Sequence, residues 1–128
     1  MSDISESTVI SALRRQMTIA VAKQVAAAGN LANIDTPGYK AKEVTFADAL
    51  KGKLAPATNS TFPTKSNTAV DAGIQIKEAG GPERRDGNTV QLDRELLTMS
   101  RAAGDFAAAQ TALAAKFRLV RYAINESK

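Results

Sequence analysis

Acid–base or nucleophilic chemistry in this sequence would have to come from carboxylates, hydroxyls, lysines or tyrosines, because the chain contains no histidine and no cysteine. The commonest general base, thiolate chemistry, disulfides and the usual kind of zinc site are therefore excluded. One carboxylate pair, Asp93 and Glu95, falls in a predicted helix, but residues two apart point to different faces. No lysine or tyrosine is singled out as a base. The sequence predicts no catalytic site, no bound metal and no cofactor.

A second group of residues has a spacing that controls backbone geometry. Thr36-Pro37-Gly38-Tyr39 is typical of a type II turn, since proline presets φ at the second position and glycine supplies the positive φ of the third. The proline also disfavours helical geometry at Thr36, so a preceding helix should end by about Asp35. Asn33 and Asp35 can bond nearby backbone groups and help to end it. On local chemistry alone, this stretch is an ordinary turn that ends a helix.

The segment before the turn has the pattern of one long helix. Asp3 and Glu6 have the spacing of a capping box, and a helix over roughly Ser5 to Leu31 would be about 40 Å long at ~1.5 Å per residue. Apolar residues recur along this helix at alternating steps of three and four, with Gln24 as a polar interruption. This spacing predicts a heptad seam. This N-terminal seam comprises Ile10, Leu13, Met17, Ala20, Gln24, Ala27 and Leu31. The seam could pack within its own domain or against other chains.

A longer seam follows near the other end of the chain. Asn88 and Gln91 have the spacing of another capping box. Steps of three and four then alternate over about 33 residues, which predicts a helix with a coiled-coil-like stripe, roughly 55 Å long. This C-terminal seam comprises Leu92, Leu96, Met99, Ala103, Phe106, Gln110, Leu113, Phe117, Val120 and Ile124. Gln24 and Gln110 could lie level with one another and set the register, or each could face solvent.

The middle of the chain has no sustained period. Val44, Phe46 and Leu50 could form a short strand or a short helix, and the alternation of Ile74 and Ile76 indicates a short strand. Gly80-Gly81-Pro82 and Asp86-Gly87 read as turns. The predicted fold is mainly α, with long N- and C-terminal helices, coiled-coil-like packing and an irregular middle containing possible short β pieces. Three parts follow: 1–33 for the first helix, 34–88 for the turn and variable segment, and 89–128 for the heptad helix.

Composition limits the core and the partners. Only 5% of the 128 residues are aromatic and alanine supplies much of the apolar fraction, so a lone chain would have a thin core. The net charge of +4 is spread over the three parts as +1, +1 and +2, without the clustered footprint that nucleic-acid binding needs. No apolar run approaches the roughly 18 residues of a membrane span. The polar, acidic start is unlike a signal peptide, and these rules alone predict a cytoplasmic protein.

The stretch from Asn30 to Ala41 resembles the signature of the flagellar axial proteins, those of the rod, hook and hook-associated segments. That signature, Ala-Asn-x-x-Thr-Pro-Gly-Tyr, is complete here as Ala32, Asn33, Thr36, Pro37, Gly38 and Tyr39. The family also places a helix before the motif, a variable middle after it, and a heptad helix at the C-terminal end. The short length, residues 40–46 and the ending at 116–124 are similar to a small rod subunit of the proximal type.

The resemblance implies a non-catalytic subunit of the basal-body rod, the drive shaft that crosses the periplasm. It implies export through the flagellar type III apparatus without a cleaved signal, which replaces the cytoplasmic expectation. The implied partners are other copies, other rod proteins, and the base of the rod near the membrane ring and export gate, with no nucleic acid and no small-molecule substrate. Terminal helices of neighbouring subunits would cover one another's seams. The alternatives are a sister small rod subunit and, more remotely, a basic helical adaptor for nucleic acid.

Overall fold

Two long helices dominate the part of the chain that the computed structural model describes, residues 6–45 and 74–126. Helix α1 spans Glu6–Ala32 and helix α2 spans Leu92–Glu126, with 27 and 35 residues respectively. The mainly α fold is therefore confirmed, and α1 agrees with its predicted bounds to within one residue at each end. Asp3, the first member of the predicted capping box, lies outside the described residues.

A small antiparallel sheet lies beside the helices. Strand β1 is Lys42–Thr45 and strand β2 is Gln75–Glu78, paired from Lys42 opposite Glu78 to Thr45 opposite Gln75. Val44 faces Ile76 across the ladder, so Val44 takes the strand alternative and the short strand predicted around Ile76 is present, with Ile74 just before it. Phe46 and Leu50, the other residues considered for the first piece, lie outside the described residues.

The capping box predicted at Asn88 and Gln91 is wrong. Helix α2 begins at Leu92, and the Gln91 carbonyl accepts the first helical hydrogen bond from the Glu95 amide at 3.1 Å, which makes Gln91 the N-cap. The Asn88 side chain instead accepts a hydrogen bond from the Val90 amide at 2.7 Å, two residues on, in an Asx-turn. Asn88 does not cap the helix because its side-chain oxygen already accepts from Val90 and α2 begins only at Leu92, while its amide nitrogen donates to the segment just after α1.

Small residues set the contact between the helices. Ala20 and Ala27 of α1, and Ala102 and Ala109 of α2, are buried. Each pair is seven residues apart and so lies on one face of its helix. A separate small cluster of Ala41, Ala79 and Val90, flanked by Ile34 and Tyr39, fills the space beside the sheet. Six of the eight buried apolar residues in the described ranges are alanines, so the core is as thin as the composition predicted.

The helices run antiparallel, with the end of α1 beside the start of α2. Lys23 and Ala27 share the wall of a cavity of about 260 Å³ with Thr98, Ala102 and Asp105. Over residues 6–45 and 74–126, neither helix has the combination of length and hydropathy that a bilayer span requires.

Candidate functional site: a tied corner and two helix seams

The turn at Thr36-Pro37-Gly38-Tyr39 has the geometry that the sequence predicted. Gly38 has φ of 72°, and the Tyr39 amide donates to the Thr36 carbonyl at 3.3 Å. Positive φ at the third residue and a bond from the fourth to the first are the marks of a type II turn. Helix α1 ends at Ala32, four residues before Thr36. The next residue, Asn33, donates from its side chain to the Gly29 carbonyl in the last turn of the helix at 2.8 Å. The predicted helix end and the role of Asn33 in it are both confirmed.

A second turn packs against the first. Between Arg84 and Asn88 the chain forms a tight loop: the Gly87 amide donates to the Arg84 carbonyl at 2.8 Å and the Arg84 amide to the Asn88 carbonyl at 2.9 Å. Gly87 has φ of 80°, as expected for a type I turn followed by a left-handed residue. The Gly38 amide donates to the Asp86 carbonyl at 2.8 Å, and a Cβ on Gly87 would lie 3.4 Å from the Gly38 Cα. We call residues 30–42 and 84–90 together the corner.

Asn30 holds the corner to the end of α1. Its side chain is fully buried and forms a two-way pair with the backbone of Lys42, donating to the carbonyl and accepting from the amide, each at 2.8 Å. The same side-chain oxygen accepts from the Tyr39 hydroxyl at 3.3 Å. Tyr39 therefore packs the corner against a helix of its own chain.

Asn88 makes the matching connection from the segment before α2. It is fully buried, and its amide nitrogen lies 2.9 Å from the Asn33 carbonyl, 3.1 Å from that of Ile34 and 2.9 Å from that of Thr36. These carbonyls lie just after the end of α1, and they also accept from the Thr36 amide, the Arg84 side chain and the Tyr39 amide respectively, so Asn88 adds a second donor to each of them. One side chain thus fixes the end of α1 to residues 52 to 55 positions away along the chain.

Further contacts surround these two asparagines. The Ala41 amide donates to the Thr89 hydroxyl at 2.8 Å, and the Thr89 amide donates to the Tyr39 carbonyl at 3.1 Å. Arg94 in the first turn of α2 pairs with Glu43 of β1 at 3.0 Å. Because that ion pair is substantially exposed, it contributes little beside the buried amide bonds.

Sequence reasoning missed Asn30 and Asn88 as the residues that hold the corner. Within the signature, Ala32, Thr36, Pro37 and Gly38 are exposed, while Asn33 and Tyr39 are half-buried. The buried polar residues lie just beyond it. Asn30 follows the buried Ala27 by three positions, on the same helix face, and this periodicity was the available signal. The local pattern marked Asn88 only as a helix cap, because the carbonyls to which its side chain donates lie more than fifty residues away.

The N-terminal seam faces the protein's own second helix. Ala20 and Ala27 are buried, and the remaining five positions are half-buried: Ile10, Leu13, Met17, Gln24 and Leu31. Of the two possibilities for this seam, packing within its own domain or against other chains, this placement corresponds to the first. Since Lys23 lies beside residues 94–105 of α2, Gln24 does not lie level with Gln110.

The C-terminal seam is divided into two columns with different environments. The first column has residues seven apart, half-buried except at its start: Leu92, Met99, Phe106, Leu113 and Val120. The second column is exposed throughout: Leu96, Ala103, Gln110, Phe117 and Ile124. The centre of contact with α1 is the line of Ala102 and Ala109, so the first column flanks that contact and the second lies outside it. We call the second column the exposed seam.

The two carboxylates considered for chemistry are separated as predicted. Asp93 is exposed and Glu95 is 5% exposed, on different faces of the first turn of α2. Both are favourably placed for the positive end of the helix dipole. Among the described residues, no three acidic side chains are grouped in a way that could hold a metal ion.

No protein-family model matches the chain. It is 33% identical over 100 residues to the flagellar basal body rod protein FlgB of Escherichia coli (strain K12), a match that covers 66% of this chain and 72% of that protein. FlgB of Salmonella typhimurium is 32% identical over 102 residues, with the same shares covered. FlgB of Bacillus subtilis (strain 168) is 26% identical over 125 residues, which is 95% of this chain and 97% of that protein. Together with the complete signature turn between two long helices, these matches show that the chain belongs to the FlgB family of flagellar basal body rod proteins.

Proposed function

We propose that the chain works as a structural subunit of the flagellar basal-body rod whose exposed seam is covered by neighbouring subunits. Membership of the rod follows from the family. The proposal adds that the exposed seam is the surface that contacts neighbouring subunits, and that the chain is non-catalytic.

The exposure of the second seam column is the observation that carries this proposal. Leu96, Phe117 and Ile124 are 51%, 55% and 60% exposed, and they recur on one side of a single helix. Burying one such side chain fully contributes about 1.5–3 kcal/mol, so a stripe of them favours association. When the exposed seam of one subunit packs on a different surface of the neighbouring subunit, the two partners contribute different surfaces to the contact. Such heterologous contacts extend into open helical assemblies.

The other predicted site residues take supporting roles in this proposal. The N-terminal seam stabilises the antiparallel helix pair, since its central alanines are already buried against α2. The signature turn keeps the end of α1 beside the start of α2 and so orients the exposed seam. The parts 1–33, 34–88 and 89–128 then correspond to first helix, connecting segment and second helix, joined by the corner.

The partners proposed are other copies of this chain, other rod proteins, and the base of the rod near the membrane ring and export gate. The proposed location is the periplasmic rod, reached through the flagellar export apparatus without a cleaved signal. Passage through a narrow channel requires an unfolded chain. An alanine-based core and the lack of cysteine both make the chain easier to unfold and rethread. No nucleic acid or small-molecule substrate has a part in this function.

Complementation of a strain that lacks its own FlgB tests the proposal. Leu96→Asp places a charge on the exposed seam and should abolish rod assembly and motility while the purified protein keeps its helicity. Leu113→Asp should also block assembly, but with a loss of folding stability because Leu113 is half-buried.

Ala108→Asp is the matched control, because Ala108 is also exposed on α2 but lies about 120° around the helix from Leu96. It should support motility. Normal rods in the Leu96→Asp strain would remove the exposed seam from the proposed function.

A further inference from the structure

The turn before α2 contains a dipeptide that can rearrange covalently without an enzyme. Asp86-Gly87 is the one place in the sequence where an aspartate or asparagine directly precedes a glycine. In such a pair the backbone nitrogen of the glycine can attack the side-chain carboxyl carbon of the residue before it, because glycine has no side chain to hinder the approach. The pair therefore has the composition of a site of spontaneous backbone modification.

The rearrangement passes through a five-membered ring. The Gly87 nitrogen forms a bond to the Asp86 Cγ, and the hydroxyl of the protonated carboxyl leaves with the amide proton as water. Water then adds to one of the two ring carbonyls and breaks its bond to the nitrogen. When it adds to the original backbone carbonyl, the chain afterwards runs through Cγ, as isoaspartate. One water is lost and one is gained, so the mass is unchanged and no other reactant is needed.

The closed turn keeps the two reacting atoms apart. Asp86 is the third residue of the type I turn that starts at Arg84, a position where such turns have ψ of about 0°. This value places the Gly87 nitrogen on the same side of the Asp86 Cα–C bond as the Asp86 nitrogen. The ring needs the Gly87 nitrogen on the side of Cβ instead. Ring closure therefore requires rotation about this bond, which opens the turn.

Hydrogen bonds hold both reacting groups in the closed arrangement. The Gly87 amide donates to the Arg84 carbonyl at 2.8 Å, and an Asp86 carboxylate oxygen accepts from the Asn88 amide at 3.0 Å. The Asp86 carbonyl accepts from the Gly38 amide at 2.8 Å, which ties the same peptide to the signature turn. The peptide between Asp86 and Gly87 thus cannot rotate unless contacts within the corner break.

We propose that Asp86-Gly87 is a modification site controlled by the corner: the pair isomerises to isoaspartate in the unfolded chain, and closure of the corner suppresses the reaction. In the native protein the reaction then requires local opening, so its rate is the rate in the unfolded chain multiplied by the fraction of open corners. The inference concerns a single chain and does not depend on the proposed function.

Isomerisation should in turn prevent the corner from closing. The isoaspartyl backbone contains one additional carbon, and the carbonyl that accepted from the Gly38 amide becomes a free carboxylate. A Cβ on Gly87 would already lie 3.4 Å from the Gly38 Cα, so a lengthened turn has little room at this contact. A chain that is modified while unfolded is therefore expected to refold without a closed corner.

Ageing of the purified full-length chain, in native buffer and in guanidinium chloride at the same pH and temperature, tests the proposal. A glutamate-specific protease releases residues 84–95, because Glu83 and Glu95 bound them. The isoaspartyl form of this peptide differs from the aspartyl form in retention time at unchanged mass. It should accumulate roughly tenfold or more faster in the unfolded chain, since a stable corner is open in only a small fraction of molecules.

Two glycine variants repeat the comparison without denaturant. Gly38→Val should open the corner, because Gly38 has φ of 72°, and should raise the isomerisation rate in native buffer. Gly80→Ala is the matched control, since a Cβ there meets no heavy atom within 4 Å, and it should age at the rate of the natural chain.

Asp86→Asn gives a second readout of the same ring, in which ammonia leaves in place of water and the mass changes. This variant keeps a side-chain oxygen that can accept from the Asn88 amide. Its deamidation at residue 86, measured by mass spectrometry of the same peptide, should also be much faster in the unfolded chain than in the folded one.

Equal rates in the folded and unfolded chain, or a faster reaction in the folded chain, would overturn the inference, because the turn would then not keep the reacting atoms apart. An unfolded chain that forms no isoaspartate at residue 86 would also overturn it. If Gly38→Val and Gly80→Ala age at the same rate in native buffer, the corner does not control the reaction and the inference is wrong.

Discussion

Two buried asparagines do more to define this protein's corner than the signature residues between them. Asn30 and Asn88 are both fully buried, and together their side chains engage the backbone of Lys42 and three carbonyls at the end of α1. An intramolecular hydrogen bond contributes about 1 kcal/mol net to folding, because it replaces bonds to water, but a buried group left without its partner costs about 1–3 kcal/mol. The corner is therefore sensitive to loss of either amide.

Replacing Asn88 with aspartate should lower the free energy of unfolding by about 3 kcal/mol or more. The change removes the amide donor that the carbonyls of Asn33, Ile34 and Thr36 share, and sets a buried carboxylate against these three oxygens. Urea denaturation followed by circular dichroism measures the effect. Asn125→Asp on the exposed end of α2 is the control and should stay within about 0.5 kcal/mol of the natural protein. An unchanged midpoint for Asn88→Asp would contradict the role assigned to this residue.

Gly38→Ala should destabilise the protein by about 1–2 kcal/mol, because Gly38 has φ of 72° and a Cβ is disfavoured there. No heavy atom lies within 4 Å of the position that this Cβ would take, so the effect comes from the backbone alone. Gly38→Val should cost more, since a β-branched residue resists positive φ. Gly80→Ala also meets no neighbour and is the matched control, with φ outside the positive range. Equal stability of the two alanine variants would contradict the turn's contribution.

The turn could be predicted from the sequence and the asparagine contacts could not. Proline and glycine determine backbone angles within four residues, so their pattern predicts a conformation directly. The Asn88 amide reaches acceptors 52 to 55 residues away. The spacing of Asn88 from Gln91 indicated a helix cap. The structure shows instead that the Asn88 side chain makes tertiary contacts.

Helix α2 shows how far a heptad pattern predicts packing. The pattern placed ten residues on one seam, and α1 covers one column of them while the other stays exposed. Large side chains dominate such a pattern, but the closest approach of the two helices is set by Ala102 and Ala109, which the seam did not include. Alanine contributes little to the hydrophobic periodicity of a sequence, but its small side chain allows two helix backbones to come close. The period therefore predicted the helix and its apolar side, but not the angle at which it meets its neighbour.

Ala102→Leu should destabilise the helix pair by about 1–3 kcal/mol through overpacking, because Ala102 is 1% exposed at the contact with α1. Chemical denaturation of the purified protein measures this loss. Ala108→Leu is the control, since Ala108 is exposed on the same helix and should leave stability nearly unchanged. If the two leucine variants unfold at the same denaturant concentration, Ala102 does not lie at a tight interface.

The molecule as a whole is a helix pair tied firmly at one end, with apolar surface left along α2. The tie consists of buried polar contacts, whereas the pairing of the helices depends on alanines that bury little area each. Under the proposed function, we expect a subunit of this kind to gain much of its stability from neighbours in the rod. Composition alone predicted the thin core, and the resemblance to axial proteins predicted the assembly. The division of the C-terminal seam into a column beside α1 and an exposed column required the structure.

Thiol labelling at the exposed seam tests the central claim, that neighbouring subunits cover this column of α2. Leu96→Cys and Phe117→Cys replace residues that are 51% and 55% exposed, in a chain without natural cysteine. Each variant should react rapidly with a water-soluble maleimide as purified protein, and at least tenfold more slowly in isolated basal bodies. Equal reactivity of both variants in purified protein and in assembled rods would contradict the account.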